Sequence, residues 1–414
     1  MGASLRFGSE LRRLRQEAGL SLGRFALAVN YSKGHLSKIE RGEKRTPPGL
    51  ARRCDALLGA EGRLQRLAEP DAQPARPAPE DGTWLVDRRS LLTAGAGSLI
   101  GLGLGTSEAV AGTDAVSPTL ALFRVQFDQM RQLGQSTDPA VVLPLLEAQT
   151  RTVAELAGRG APADRAGMLL LASRFAEYAG WMAQEAGDNA AALSWTADAV
   201  ELAQAAGDRD LASYALVRRA LVTLYGSDAA QTVALARRAQ SSGLPPRIRG
   251  LAAQREAQGH ALAGDERAAL AGLERARALL ASADAGSGSG EPVIGTTSLA
   301  DPAAMVTGWC LYDLGRPREA AEVLDRECAR IDPRALRART RYGLRRALAH
   351  AAAGEIEQSC GIAAELLDLT ASVPSATVGA DVRRLARELS RFRAERAVRD
   401  LQPALARALA PAGA

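Results

Sequence analysis

Lys33, Lys38 and Lys44 are the only lysines in a chain of 414 residues, and they fall within twelve positions of one another. Each ammonium offers three donors and no acceptor, so the cluster is suited to gripping anionic or carbonyl oxygens. Little else has the types and spacing that catalysis needs. His35, His260 and His350 stand alone, with no HxxxH and no His/Cys group, which argues against a zinc site. Cys54, Cys310, Cys328 and Cys360 form no CxxC pair and no disulfide framework; they read as reduced thiols, most of them packed in the core. No nucleophile–base constellation or paired carboxylate motif stands out, and the glycine-rich run 95–105 lacks both a preceding strand–turn pattern and a P-loop lysine. The chain therefore reads as a non-enzyme with no cofactor and no metal. A second charged feature is Arg337, Arg341 and Arg345, at i, i+4 and i+8, with no acidic residue between Asp332 and Glu355. On a helix they form a cationic stripe able to clamp a carboxylate bidentately, unless acids on adjacent elements neutralise it.

The elements that must position the lysines are short helices. Residues 1–69 hold 14 Lys or Arg against 7 Asp or Glu, while the other 345 hold 38 against 40. A basic head on a nearly neutral body is expected where the head meets a polyanion. Phe7, Leu11, Leu14 and Ala18 repeat at helical spacing before Gly19. Ser21 then caps a second helix whose apolar face is Leu22, Phe25, Ala26 and Val29, and Asn30-Tyr31 make a tight turn. Ser32 caps a third helix with Leu36 and Ile39 inward, ended by Gly42. Pro47 and Pro48 open a fourth, with Leu50, Cys54, Leu57 and Leu58 on one face, and a fifth segment surrounds Leu64 and Leu67. Five short helices with a three-residue turn between the second and third are the helix-turn-helix arrangement.

The run Gly19-Leu20-Ser21-Leu22-Gly23-Arg24-Phe25-Ala26, followed by Ser32 and Leu36-Ser37-Lys38-Ile39-Glu40-Arg41-Gly42, resembles the Xre (Cro/cI-like phage-repressor) class. The resemblance implies a DNA-binding head whose third helix enters the major groove, a space about 12 Å wide that admits one helix. Lys33, Gly34, Ser37 and Lys38 would then face the bases: the lysines donate to guanine, Ser37 contacts most bases, and Gly34 allows close backbone approach. Ser32, Arg41, Lys44 and Arg45 would grip phosphate, Arg41 at the family's phosphate position. Leu22 departs from the pattern, since many members carry a phosphate-binding Gln there. His35 is expected at the surface.

Residues 70–82 hold four prolines and read as a semi-rigid spacer. Arg88-Arg89 precede 18 uncharged residues, 90–107, which superficially resemble a twin-arginine export signal. A folded head ahead of it argues against export, and the run is short and glycine-rich for a membrane span. The expectation is a connector over 70–117.

From 118 to 414 the pattern is helical, punctuated by Gly187-Asp188, Gly226-Ser227, Gly264-Asp265, Gly315-Arg316 and Gly354-Glu355. A Gly/Ser insertion near 284–298 accounts for the one long spacing, so the period is about 39 residues, the mark of stacked helical hairpins. Small residues recur at matching positions (Gly180, Ala192 and Ala199; Ala257, Ala269 and Ala276; Gly308 and Ala320), so the units resemble degenerate tetratricopeptide repeats; the turn at 226 matches poorly, and 378–410 reads as a capping pair. The resemblance implies an all-α solenoid with a groove lined by first helices, where Arg337, Arg341 and Arg345 would meet a peptide or protein ligand. Trp181, Trp195, Trp309 and Tyr312 either line that groove or fill the core. In layout, such a head and body resemble the peptide-responsive quorum-sensing regulators. The expectation is a cytoplasmic, homodimeric, sequence-specific transcription regulator acting on double-stranded DNA. The alternative is a repeat-based interaction scaffold with only weak DNA binding.

Overall fold

Apolar residues recurring every three to four positions draw this chain into helices, and every regular element among the described residues of the computed structural model is helical. The structure describes residues 2–29, 31, 33–68, 117–159, 162–285, 293–295 and 298–410. The spacer and the apolar run 90–107 lie outside them. The head comprises α1 (Gly2–Glu17), α2 (Leu22–Ala28), α3 (Lys33–Glu40), α4 (Pro48–Leu58) and α5 (Arg63–Ala68). Phe7, Leu11, Phe25, Leu36, Ile39, Leu50 and Leu64 close its core. Each such burial contributes roughly 1.5–3 kcal/mol. Leu57, expected on the inner face of α4, is instead exposed at the end of its helix.

The body begins with α6 (Pro118–Ser136) and α7 (Pro139–Arg159). Five helix pairs follow: α8 (Pro162–Ala186) with α9 (Asn189–Ala205), α10 (Leu211–Tyr225) with α11 (Ala229–Arg238), α12 (Pro246–Ala263) with α13 (Glu266–Ala285), α14 (Pro302–Asp313) with α15 (Pro317–Cys328), and α16 (Leu336–Ala353) with α17 (Ile356–Leu367). The short α18 (Leu369–Ser372), then α19 (Ala376–Leu389) and α20 (Arg396–Leu409), complete it. All five expected glycine turns fall between the partners of a pair. Four of those glycines take a left-handed backbone, but at 226 the positive φ passes to Ser227, which explains the weaker match there. Small residues sit where helices press together: a Cβ on Gly308 would lie 2.7 Å from Leu324 Cγ.

The helices wrap round until α16 packs on α6 and α19 on α8. Arg337 fastens this seam, donating to Gly134 O (2.8 Å), Thr137 O (2.6 Å) and Pro374 O (2.8 Å). Ser375 and Thr377, at the start of α19, donate to the buried Glu185 of α8.

The head is seated on the body through α4, α5 and Tyr31. Buried Arg53 Nη1 meets Glu388 Oε1 at 3.0 Å, and Arg391 shares that oxygen at 2.6 Å while lying 3.4 Å over the Tyr31 ring. Gln65 Nε2 donates to Leu262 O at 2.6 Å. Two repeat turns complete the seat. A Cβ on Gly264 would meet Gly62 Cα at 2.7 Å, and one on Gly315 would meet Arg52 O at 2.5 Å.

Candidate nucleic-acid interface and central cavity

The α3 face is set by its own periodicity. Leu36 and Ile39 are fully buried against α1 and α2, which turns Lys33, Gly34 and Lys38 outward. Ser37 is half-buried at the edge of that face. Upstream, Ser21 Oγ caps α2 by accepting from Arg24 N at 3.2 Å. Arg15 fixes the end of α3: its Nε and Nη2 donate to Glu40 at 2.6 and 3.0 Å, and its Nη1 donates to Leu20 O at 2.8 Å. Such charge-assisted, bidentate contacts hold helix orientation as well as adding energy. Asn30 and Ser32 lie outside the described residues, so the expected turn residue and the expected Ser32 phosphate contact have no geometry here. Lys44 and Arg45 are exposed.

Residues 6–68 match the helix-turn-helix domain family. That match supports a DNA-binding regulator. No curated protein and no solved structure matches the chain significantly.

Within this helix-turn-helix head, Arg41 is exposed but engaged. It donates to Ser37 Oγ and, through Nη2, to Glu43 Oε2 at 2.9 Å. Hydrogen bonding from Arg41 in turn holds the Glu43 carboxylate below its ordinary range. Arg41 therefore exchanges an internal carboxylate for any phosphate it takes. His35 packs edge-on to Tyr31, with ring centroids 5.1 Å apart. Burial, then the positive field of Lys44, Arg391 and Lys38, pushes its pKa below the ordinary 6.5. That field extends to the body, since Arg391 and Arg393 line a cleft against His35 and Lys44.

The body forms a cavity of about 1210 Å³, partly open to solvent and walled by the first helix of each pair together with α6. Of the expected arginine stripe, Arg337 and Arg341 border this cavity and Arg345 does not. All three meet acceptors within the protein. Arg337 is the seam latch described above. Arg341 donates to the Tyr225 hydroxyl (Nη2, 2.5 Å) and lies 3.7 Å from Glu185 Oε1. Arg345 donates to Asp381 Oδ1 at 3.1 Å and stacks over Trp309. The stripe's partners within the protein are thus a hydroxyl, acids and carbonyls brought from other helices. Trp181 and Trp309 border the cavity, Trp195 packs between helix pairs, and Tyr312 lies under Arg52 of the head. Sequence reasoning missed Arg255 on α12, which also lines the cavity; α12 is buried on most sides, so no stripe of charge marks it out. Among the described residues, no three His, Cys, Asp or Glu side chains converge as metal ligands would, and no helix is long and apolar enough to cross a membrane.

Proposed function

We propose that this chain is a cytoplasmic, non-catalytic, sequence-specific transcription regulator of the Xre (Cro/cI-like) type, whose tetratricopeptide-like body dimerises and senses a peptide or protein ligand. The observation that carries the reading is α3: it buries Leu36 and Ile39 and presents Lys33, Gly34, Ser37 and Lys38 to solvent, in a head that matches the helix-turn-helix family. Laid in the major groove, this face brings Lys33 and Lys38 to base edges, with Ser37 between them. Arg41, Lys44 and Arg45 lie beyond it for phosphates, whose neutralisation releases counterions and makes affinity fall with salt. One head buries little DNA surface, so two heads on paired half-sites supply the affinity and selectivity.

The route from ligand to DNA runs through α12 and α14. Both wall the cavity, and the turns that follow them, at Gly264 and Gly315, touch the head. A ligand that binds one arrangement of these helices better than another shifts the population of head positions. The test is selection of genomic DNA fragments on the purified full-length protein, with and without extract from the producing cells. Retained fragments sharing a motif, with affinity that falls steeply with salt and changes with extract, support the regulator. Retention without a shared motif supports the scaffold alternative.

A further inference from the structure

The central cavity holds more donors than acceptors. Seven arginines border it against three carboxylates. Most of these arginines have acceptors already, as Arg131 does on Val293 O (3.0 Å) and Gly295 O (2.6 Å). Arg255 does not: among the described residues no carboxylate approaches it and no hydrogen bond holds its guanidinium. Its neighbours are Tyr342, Tyr225 and Tyr214 and a second cation, Arg341. Desolvation at the cavity wall, then the Arg341 charge, push its pKa below the ordinary arginine range. Gln254, beside it and 1% exposed, has a side-chain Nε2 with no partner. The Tyr342 hydroxyl, on the same wall, makes no hydrogen bond among the described residues. Glu177, a carboxylate on the same cavity wall, already accepts from the Tyr214 hydroxyl at 3.0 Å and pairs with Arg218. The Gln254 amide is a buried donor without an acceptor, which costs free energy, and Arg255 is a half-buried cation on the cavity wall with no anion beside it.

Resting on the cavity as the ligand site of the regulator, we propose that the ligand bears a carboxylate, held by Arg255 with the Gln254 amide and the Tyr342 hydroxyl. A planar guanidinium matches a carboxylate through two parallel hydrogen bonds. Trp181, Trp309, Leu251 and Val306 on the same wall offer apolar contact to the rest of the ligand. Two sources supply this chemistry, the C-terminus of an apolar peptide and a free organic acid. The cavity exceeds the roughly 300–1,000 Å³ of ordinary small-molecule sites, which leaves room for either.

The experiment is affinity selection on the full-length protein with four probe pools read by mass spectrometry. These are apolar pentapeptides with free C-termini, the same peptides amidated, aryl and C6–C12 fatty acids, and their primary amides. Members from one or both acid pools should be retained, their amides should not, and the richer acid pool identifies the source. Arg255→Gln should cut affinity for a retained acid about tenfold or more, as loss of a charge-assisted bond requires. Tyr342→Phe, which removes one oxygen and keeps the packing, should cost a few-fold and keeps the test informative if the first variant folds poorly. Equal retention of acids and amides, no retention from any pool, or undiminished affinity in Arg255→Gln with a native melting profile overturns the proposal. DNA-fragment retention by the unmutated chain is scored separately, so failure of DNA reading is distinguishable from failure of the carboxylate site.

Discussion

Lys38 and Arg41 sit one turn apart, and their surroundings assign them different work. Lys38 is exposed on the face opposite Leu36 and Ile39. Lys38→Ala should relax base preference at one position and cost roughly 1–3 kcal/mol of discrimination, read from competition between operator variants. Arg41→Ala should weaken binding to all sequences alike and lower the slope of log affinity against log salt by about 1. Arg41 is paired with Glu43 in the protein, so if it grips phosphate as proposed, Glu43→Gln should strengthen nonspecific binding, about two- to fivefold on the scale of exposed ion pairs. Mild acid will not mimic that change, since Arg41 keeps the Glu43 carboxylate ionised. His35 has the opposite pH signature. Its folded-state pKa is lowered, so on acidification through about 6.5 the unfolded chain takes up the proton first and the folded head loses stability. His35→Gln should flatten the fall in melting temperature between pH 7.5 and 5.5.

Helices α1 and α3 meet so closely that Gly8 admits nothing larger: a Cβ there would lie 2.3 Å from Ile39 O. Gly8→Ala should therefore destabilise the head by about 1–3 kcal/mol, the usual result of overpacking, with DNA binding lost in proportion to unfolding. Gly34 on the exposed side of α3 is the contrast, since a Cβ there meets nothing within 4 Å. Gly34→Ala should leave the melting temperature unchanged or raise it, as helix propensity favours Ala. If this backbone approaches DNA closely, the same variant binds its operator more weakly. The helical character of these elements was legible in the sequence because their signals are local: a cap at Ser21, period-3.6 apolar residues, and glycine stops. The outward face of α3 was legible for the same reason, since burying Leu36 and Ile39 fixes the direction of Lys33 and Lys38. Arg337, Arg341 and Arg345 were legible as a stripe, but not their partners. Glu185 and the Gly134 and Thr137 carbonyls lie more than a hundred positions upstream, and only ring closure brings them in. The unmatched state of Arg255 was invisible for a related reason: it depends on what the facing helices α10 and α16 fail to supply.

At the scale of the molecule, head and body share a buried ion pair rather than merely a connecting segment. Arg53 and Glu388 are both buried, and Arg391 bridges the same carboxylate to Tyr31. Removing one partner leaves a desolvated charge, so Glu388→Gln should weaken the seat by on the order of 3 kcal/mol. The measurement is amide hydrogen exchange, which should speed up in α4 and α5 while α1 keeps its protection. Exchange unchanged in α4 and α5 would mean that the seat does not hold the head in solution. The latch at Arg337 has a different consequence, one for how the chain can change over time. In an open repeat array each unit leans only on its neighbours, so lineages gain and lose whole units with little penalty. Here the first and last turns of the wrap are joined, and their distance is fixed by the number of hairpins between them. Deleting or duplicating one would leave the guanidinium facing no carbonyl, so length variation among descendants should fall outside the hairpins that set this distance.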